Sequence, residues 1–188
     1  MNRVRRDALA AGAALFYAAA WAQPLAPQGV PPEVAAALPG AQMQGSGTLR
    51  VLFFRVYDAV LWRGEQAVGT DFATTPLAVE AVYARQVDHH DLVEKTLEQL
   101  RLQTSIEPST AARWRQQLQP LLPTVQSGDR LTALNEPGRG LQMFLNGRAT
   151  GRIDDPRLAA LFFGIWLSPQ TSQPELRQAL LGETAPAR

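Results

Sequence analysis

The chain has 188 residues, no cysteine and a formal net charge of +1. Without cysteine there is no thiol chemistry and no disulfide. A near-neutral balance with no basic stripe argues against nucleic acid as a partner.

Arg3, Arg5 and Arg6 form a basic lead, Ala8 to Ala20 is an almost unbroken apolar run, and Ala20-Trp21-Ala22 is an A-x-A cleavage pattern. Those are the three parts of a secretory signal. The run is shorter than the roughly 20 residues of a membrane span. Residues 1–22 are therefore read as a cleaved signal peptide, with the mature chain in the periplasm and no stable membrane span. The alternative is a retained anchor. Removal leaves 188 − 22 = 166 residues, the size of one domain. Residues 23–39 read as a Pro-rich lead-in, with one short helical turn over Pro32–Leu38 closed by Pro39-Gly40.

Gly47 to Trp62 has no Gly or Pro after its first residue and is rich in β-branched and aromatic side chains. It reads as one long central strand, bent or split near Phe53–Arg55, and covered on both faces over much of its length. A polar group on a buried face needs a partner, which singles out Arg50, Arg55, Tyr57 and Asp58. A polar loop follows, from Arg63 to Pro76.

Leu77 to Arg85 is the second clear strand. Period two puts Leu77, Val79, Ala81, Tyr83 and Arg85 on one face. An apolar face ending in a phenol and a guanidinium resembles a pocket wall able to hold a carboxylate. The structural alternative is a Tyr in the core and an Arg reaching solvent at the strand end.

Asp88 is a natural N-cap for a helix with Leu92, Val93, Thr96, Leu97 and Leu100 at helical spacing. His89 and His90 are adjacent and diverge by about 100° on a helix, which favours a polar first turn over a metal site. A second helix runs Ser109–Leu118, with Ala111, Trp114 and Leu118 on one side. Period two returns at Arg130–Leu134, Gly140–Leu145 and Arg148–Ile153, joined by turns at Asn135–Gly138 and Asn146-Gly147. Asp154-Asp155-Pro156 opens a further helix, with Leu158, Leu161, Phe162, Ile165 and Trp166 on its apolar face. The last helix starts at Ser172–Glu175 and ends at Gly182. Residues 183–188 read as a tail.

No nucleophile elbow, phosphate loop, dinucleotide fingerprint or zinc helix is present. No metal and no cofactor is expected. The polar groups left on the strands can bind an anion or polarise a carbonyl, and none is an obvious nucleophile or base.

In this order the elements resemble the chalcone isomerase fold. The F-x-x-V-Y-D-A-x-L-W run within Gly45–Trp62 resembles its first long strands. Tyr83-Ala84-Arg85, Leu92–Thr96, Ser127–Leu131, Phe144–Gly147, Phe163–Leu167 and Ser172–Gly182 are similar to the bacterial chalcone isomerase-like branch. The likeness covers about residues 40–182, taken as the domain. It implies an α+β fold: a large antiparallel sheet packed against a layer of helices, an open-faced sandwich with a ligand cleft between the two layers.

The plant enzymes of that fold place an Arg in a Gly-rich turn before the first long strand. The matching stretch, Gly40–Gly47, has none. They also use a Tyr and an Asn in the helical layer, where this chain offers Thr110 and Gln117, and a Thr that falls near Tyr57. Oxyanion stabilisation is often the largest catalytic term, so efficient flavanone formation is not expected. Non-catalytic members of the fold hold a fatty acid by an Arg–Tyr pair. The resemblance thus implies a small amphipathic or aromatic acid as ligand, contacted by Tyr57, Tyr83, Arg85, Arg55 and Arg50. Two other readings stand beside it: an isomerase or intramolecular lyase acting on an enone-like substrate, and an envelope protein-interaction module with a protein partner.

Overall fold

A computed structural model describes residues 29–183. The signal reading falls on residues 1–22, and most of the tail on 184–188, outside the described part. Six antiparallel strands form one sheet whose spatial order equals chain order: β1 (Gln42–Val51), β2 (Phe54–Arg63), β3 (Leu77–Tyr83), β4 (Arg130–Glu136), β5 (Gly140–Leu145) and β6 (Arg148–Ile153). Helices α2 (His89–Gln103), α3 (Pro108–Leu118), α4 (Pro156–Leu167) and α5 (Pro174–Leu181) cover one face, and α1 (Pro32–Ala37) lies on the other.

The expected single long strand is a hairpin. β1 runs up to Val51, the chain turns at Leu52-Phe53, and β2 runs back, with Val51 opposite Phe54. Leu52 makes the turn with φ +57°, in the left-handed region. The first half of the segment is therefore an edge strand, largely open to solvent, and only β2 is buried on both faces. Pattern alone does not reveal a tight turn made of Leu and Phe, because Gly, Asn and Asp are its usual signals.

The register slips twice in this pair. Leu49 faces Tyr57 but Arg50 faces Arg55, so Val56 is an extra residue in β2. Such a bulge breaks the simple alternation of faces. Arg55 consequently reaches the same side as Asp58, and its Nε donates to Asp58 Oδ1 at 3.0 Å. Thr48 donates to the same oxygen at 2.7 Å. The second slip leaves Gln44 extra in β1. Its side chain accepts from Val68 N and donates to Val68 O, both at 2.7 Å.

The helix-covered face holds the main core. β2 and β3 contribute Ala59, Leu61, Leu77 and Val79; the helices contribute Leu97, Leu100, Trp114, Leu158, Phe163 and Leu180. α4 is fixed at its start by Asp155, which accepts from Leu158 N at 3.0 Å and from Trp114 Nε1 at 2.9 Å. α5 crosses β1 at Gly45, where a Cβ would fall on the carbonyls of Ala179 and Leu180. The expected Asn146-Gly147 turn has φ of +50° and +81°, as a type I′ hairpin requires.

The opposite face carries a smaller core of Val34, Leu38, Val60, Trp62, Ala78 and Leu134. Three buried or half-buried ionic groups lie within it. Arg130 pairs with Glu33 at 3.0 Å and stands 3.8 Å from Glu80, and Trp62 Nε1 donates to Glu80 at 2.7 Å. The short turn expected at residues 32–38 is thus a helix bolted to β4 by a carboxylate.

Candidate functional site

The sheet and the helices do not close on each other completely. A cavity of about 350 Å³ remains between them, within the range of small-molecule sites, about 300–1,000 Å³. Its floor is Val79 and Ala81 on β3, Leu131 and Ala133 on β4, and Met143 on β5. Val79 lies opposite Ala133, and Ala81 opposite Leu131. Each pair sets one small residue beside one larger one, and the two alanines leave the space open. Leu92 and Thr96 of α2 and Phe162, Ile165 and Trp166 of α4 form the roof.

Tyr57 and Tyr83 make the polar wall. They face each other across β2 and β3, with ring centroids 5.4 Å apart in an edge-on arrangement. Both line the cavity and both are over nine-tenths buried. Trp166 donates its indole N–H to the Tyr57 oxygen at 2.9 Å. The Tyr83 hydroxyl makes no hydrogen bond with the described residues. Burial pushes the Tyr57 phenol up to about 12, against a small opposing effect of the Trp166 bond. Burial, and secondarily the neighbouring Tyr57, raises the Tyr83 phenol further still. Both are therefore neutral O–H donors at physiological pH. Such a pair can donate to a carboxylate or carbonyl oxygen, and it is too weakly acidic to act as a base near pH 7.

Exposed Val51, Asp91, Lys95 and Ser172 also line the space. The cavity therefore opens where the end of β1 meets α2 and the α4–α5 connection.

Of the five residues singled out from the sequence, the structure brings Tyr57 and Tyr83 together on the cavity wall. The three arginines are not among its lining residues. The expected strand Leu77–Arg85 ends at Tyr83. Beyond it the chain turns, with Ala84 N bonded to Val56 O and Ser127 Oγ to Ala84 O. Arg85 thus leaves the period-two face and lies over the Phe54 ring, 6.0 Å from its centroid. Arg55 is held by Asp58 through the bulge. Arg50 is exposed on β1. Thr110 and Gln117 do not line the cavity either. His89 Nδ1 lies 2.6 Å from Leu122 O, a local backbone contact, and no cluster fit for a metal ion occurs among the described residues.

Sequence reasoning missed Trp166 as a cavity residue, although it placed it on an apolar helix face. The signal was available: an indole N–H on a buried face must find an acceptor.

A six-stranded antiparallel sheet with four helices on one side and a cavity between the layers defines the chalcone isomerase-like class. The family model described as chalcone isomerase-like matches residues 26–182, and the chain belongs to this family. Among solved structures it is similar to a fatty-acid binding protein of Arabidopsis thaliana, with a TM-score of 0.61 and 12% sequence identity. That match covers 77% of this chain and 89% of the other. At that identity the likeness concerns the fold. Comparison with curated protein sequences returns no match.

Proposed function

We propose that this chain is an exported binding protein for a small amphipathic acid of fatty-acid type, without efficient chalcone isomerase activity. The apolar part of the ligand lies over Ala81, Ala133 and Met143, and its carboxylate accepts from Tyr57 and Tyr83. The observation that carries this reading is an apolar cavity with two facing phenols, one of which has no hydrogen-bond partner among the described residues. Fatty-acid binding by the Arabidopsis protein of similar fold supports the ligand class. Export to the periplasm rests on the basic lead, apolar run and A-x-A pattern of residues 1–22. The absence of an Arg in Gly40–Gly47 supports the lack of efficient ring closure.

A second reading draws on the same two donors. Two neutral phenols beside an apolar cavity would polarise the carbonyl of an enone, as an isomerase requires.

The test is native mass spectrometry of the purified protein, with extraction of any bound molecule and titration with palmitate. Tyr83→Phe and Ala133→Leu are run beside the parent. The expected result is one acid per chain, weakened in Tyr83→Phe and lost in Ala133→Leu, which fills the floor. A parent that takes up no fatty acid overturns the binding reading. Turnover of an enone, lost in Tyr83→Phe, moves the assignment to the isomerase.

A further inference from the structure

The end of the β1–β2 hairpin is at odds with a fold that is otherwise well covered. Val51, Leu52, Phe53 and Phe54 are consecutive and 54, 84, 92 and 63% exposed. No other described segment presents such a run. Leu52 holds a left-handed turn position that Gly or Asn fills without strain. Neither its side chain nor that of Phe53 contributes to the core clusters. Four exposed apolar residues in a row mark a surface that is covered in use.

Their surroundings say by what. Arg50 precedes the tip, Arg55 follows it, and Arg85 lies against Phe54. Gly47 to Tyr57 contains no acidic residue. Arg55 is engaged by Asp58, whereas Arg50 and Arg85 take part in none of the ion pairs among the described residues. An apolar point with guanidinium groups set just behind it fits the layering of a membrane surface: acyl chains first, anionic headgroups next. A projecting tip, rather than a groove, also suits a soft lipid phase better than a rigid protein face.

We infer that the Leu52-Phe53 tip docks into an anionic lipid surface, with Arg50 and Arg85 on the headgroup phosphates. Val51 lines the cavity and borders the tip. Docking therefore brings the cavity opening against the bilayer, which is where an amphipathic acid resides. That last step rests on the binding reading above, whereas docking itself does not.

The chain has no cysteine, so a single one can carry an environment-sensitive fluorophore. Full-length Phe53→Cys is labelled and mixed with vesicles of phosphatidylcholine, with or without phosphatidylglycerol. Arg139→Cys, in the β4–β5 turn at the opposite end of the sheet, reports any contribution from the rest of the chain. The expected result is a blue shift at position 53 with anionic vesicles and none at 139. In the same labelled protein, Arg50→Gln and Arg85→Gln each weaken partition about fivefold. No shift at 53, equal shifts at 53 and 139, or equal shifts with both vesicle types would overturn the proposal. So would a tip that binds a protein partner and ignores both vesicles. Palmitate binding by Leu52→Ser/Phe53→Ser in vesicle-free solution is measured separately. Retention with loss of docking supports both readings, whereas absence of binding in the parent strikes only at the cavity.

Discussion

Trp166 and Tyr57 stand 109 residues apart and are joined by one hydrogen bond, indole N–H to phenol oxygen, at 2.9 Å. It ties α4 to β2 across the end of the cavity. It also occupies one lone pair of the phenol and leaves the O–H proton for another acceptor. Tyr57→Phe deletes the acceptor and strands the indole N–H. The expected cost is about 1 kcal/mol of stability, read from urea melts. Loss of a donor to a charged head weakens acid binding by roughly ten- to a hundredfold. Unchanged affinity in this variant would remove Tyr57 from the ligand's polar contacts.

The two phenols also set an alkaline limit. Burial holds Tyr57 at about 12 and Tyr83 higher, whereas the unfolded chain ionises them near 10. A raised phenol contributes stability that is complete below the unfolded value and is lost as pH climbs through the folded one. Thermal stability should therefore fall from about pH 10 upward, and Tyr57→Phe/Tyr83→Phe should flatten that fall. Melting temperatures across this range, with phenolate absorbance followed in parallel, test it. An equally steep fall in the double variant would assign the loss to other groups.

Glu80 predicts a change of the same direction at the acid end. Burial raises its carboxyl above the ordinary range, and the nearby Glu33 adds to this, while Trp62 and Arg130 pull it down. The group is favoured in its protonated form within the fold. Its contribution is present below the unfolded value and lost as pH rises through the folded one. Glu80→Gln can still accept from Trp62, so it should lessen the gain on acidification without unfolding the protein. Parallel pH–stability curves for parent and variant decide this, and identical curves would refute it.

Asp155 is a structural counterpart with reversed sign. Burial pushes its carboxyl up, but Leu158 N–H, Trp114 Nε1, Arg157 N–H and Arg113 together outweigh burial and lower it. Its contribution is present above the unfolded value and lost as pH falls through the folded one. Asp155→Ala removes a helix cap and the acceptor of a fully buried indole, at an expected cost of about 2 kcal/mol. Calorimetry at neutral pH reads it, and a shift within error would show that solvent replaces both bonds.

Gly45→Ala tests the α5–β1 crossing. The added methyl group meets backbone carbonyls rather than a side chain that could swing away. The helix must lift, at about 1–3 kcal/mol. Gly138→Ala is no control for sterics alone, since its φ of +75° brings strain. Gly64→Ala is better, having open space and no such φ. Equal stability of the two variants would mean that α5 is not seated as described.

The meander, the helices and the family were legible because each signal was local: period two in Leu77–Tyr83, Pro156 behind Asp155, Asn146-Gly147 at a turn. The site was only half legible. Tyr57 and Tyr83 were found by alternation, which holds along regular strands. Arg55 and Arg85 were placed beside them by the same rule, but Val56 is a bulge and Tyr83 ends its strand. The Leu52-Phe53 turn was legible only as a bend or split near Phe53–Arg55, because its residues are ordinary strand formers. Trp166 entered the cavity through packing between segments more than a hundred residues apart, which periodicity does not encode.

A strand order identical to chain order also carries a kinetic meaning. Each strand can pair with the one just before it in the chain, at little loop-closure cost in the hairpins, whereas β3 and β4 must close across α2 and α3. Two clasps must wait: α1 on Arg130, and α5 across Gly45. The α4 part of the cavity roof, Phe162, Ile165 and Trp166, comes late, so a truncated chain ending near Ile153 would retain a floor covered only in part, by α2. Closure of the cavity thus waits until the C-terminal segment has folded home.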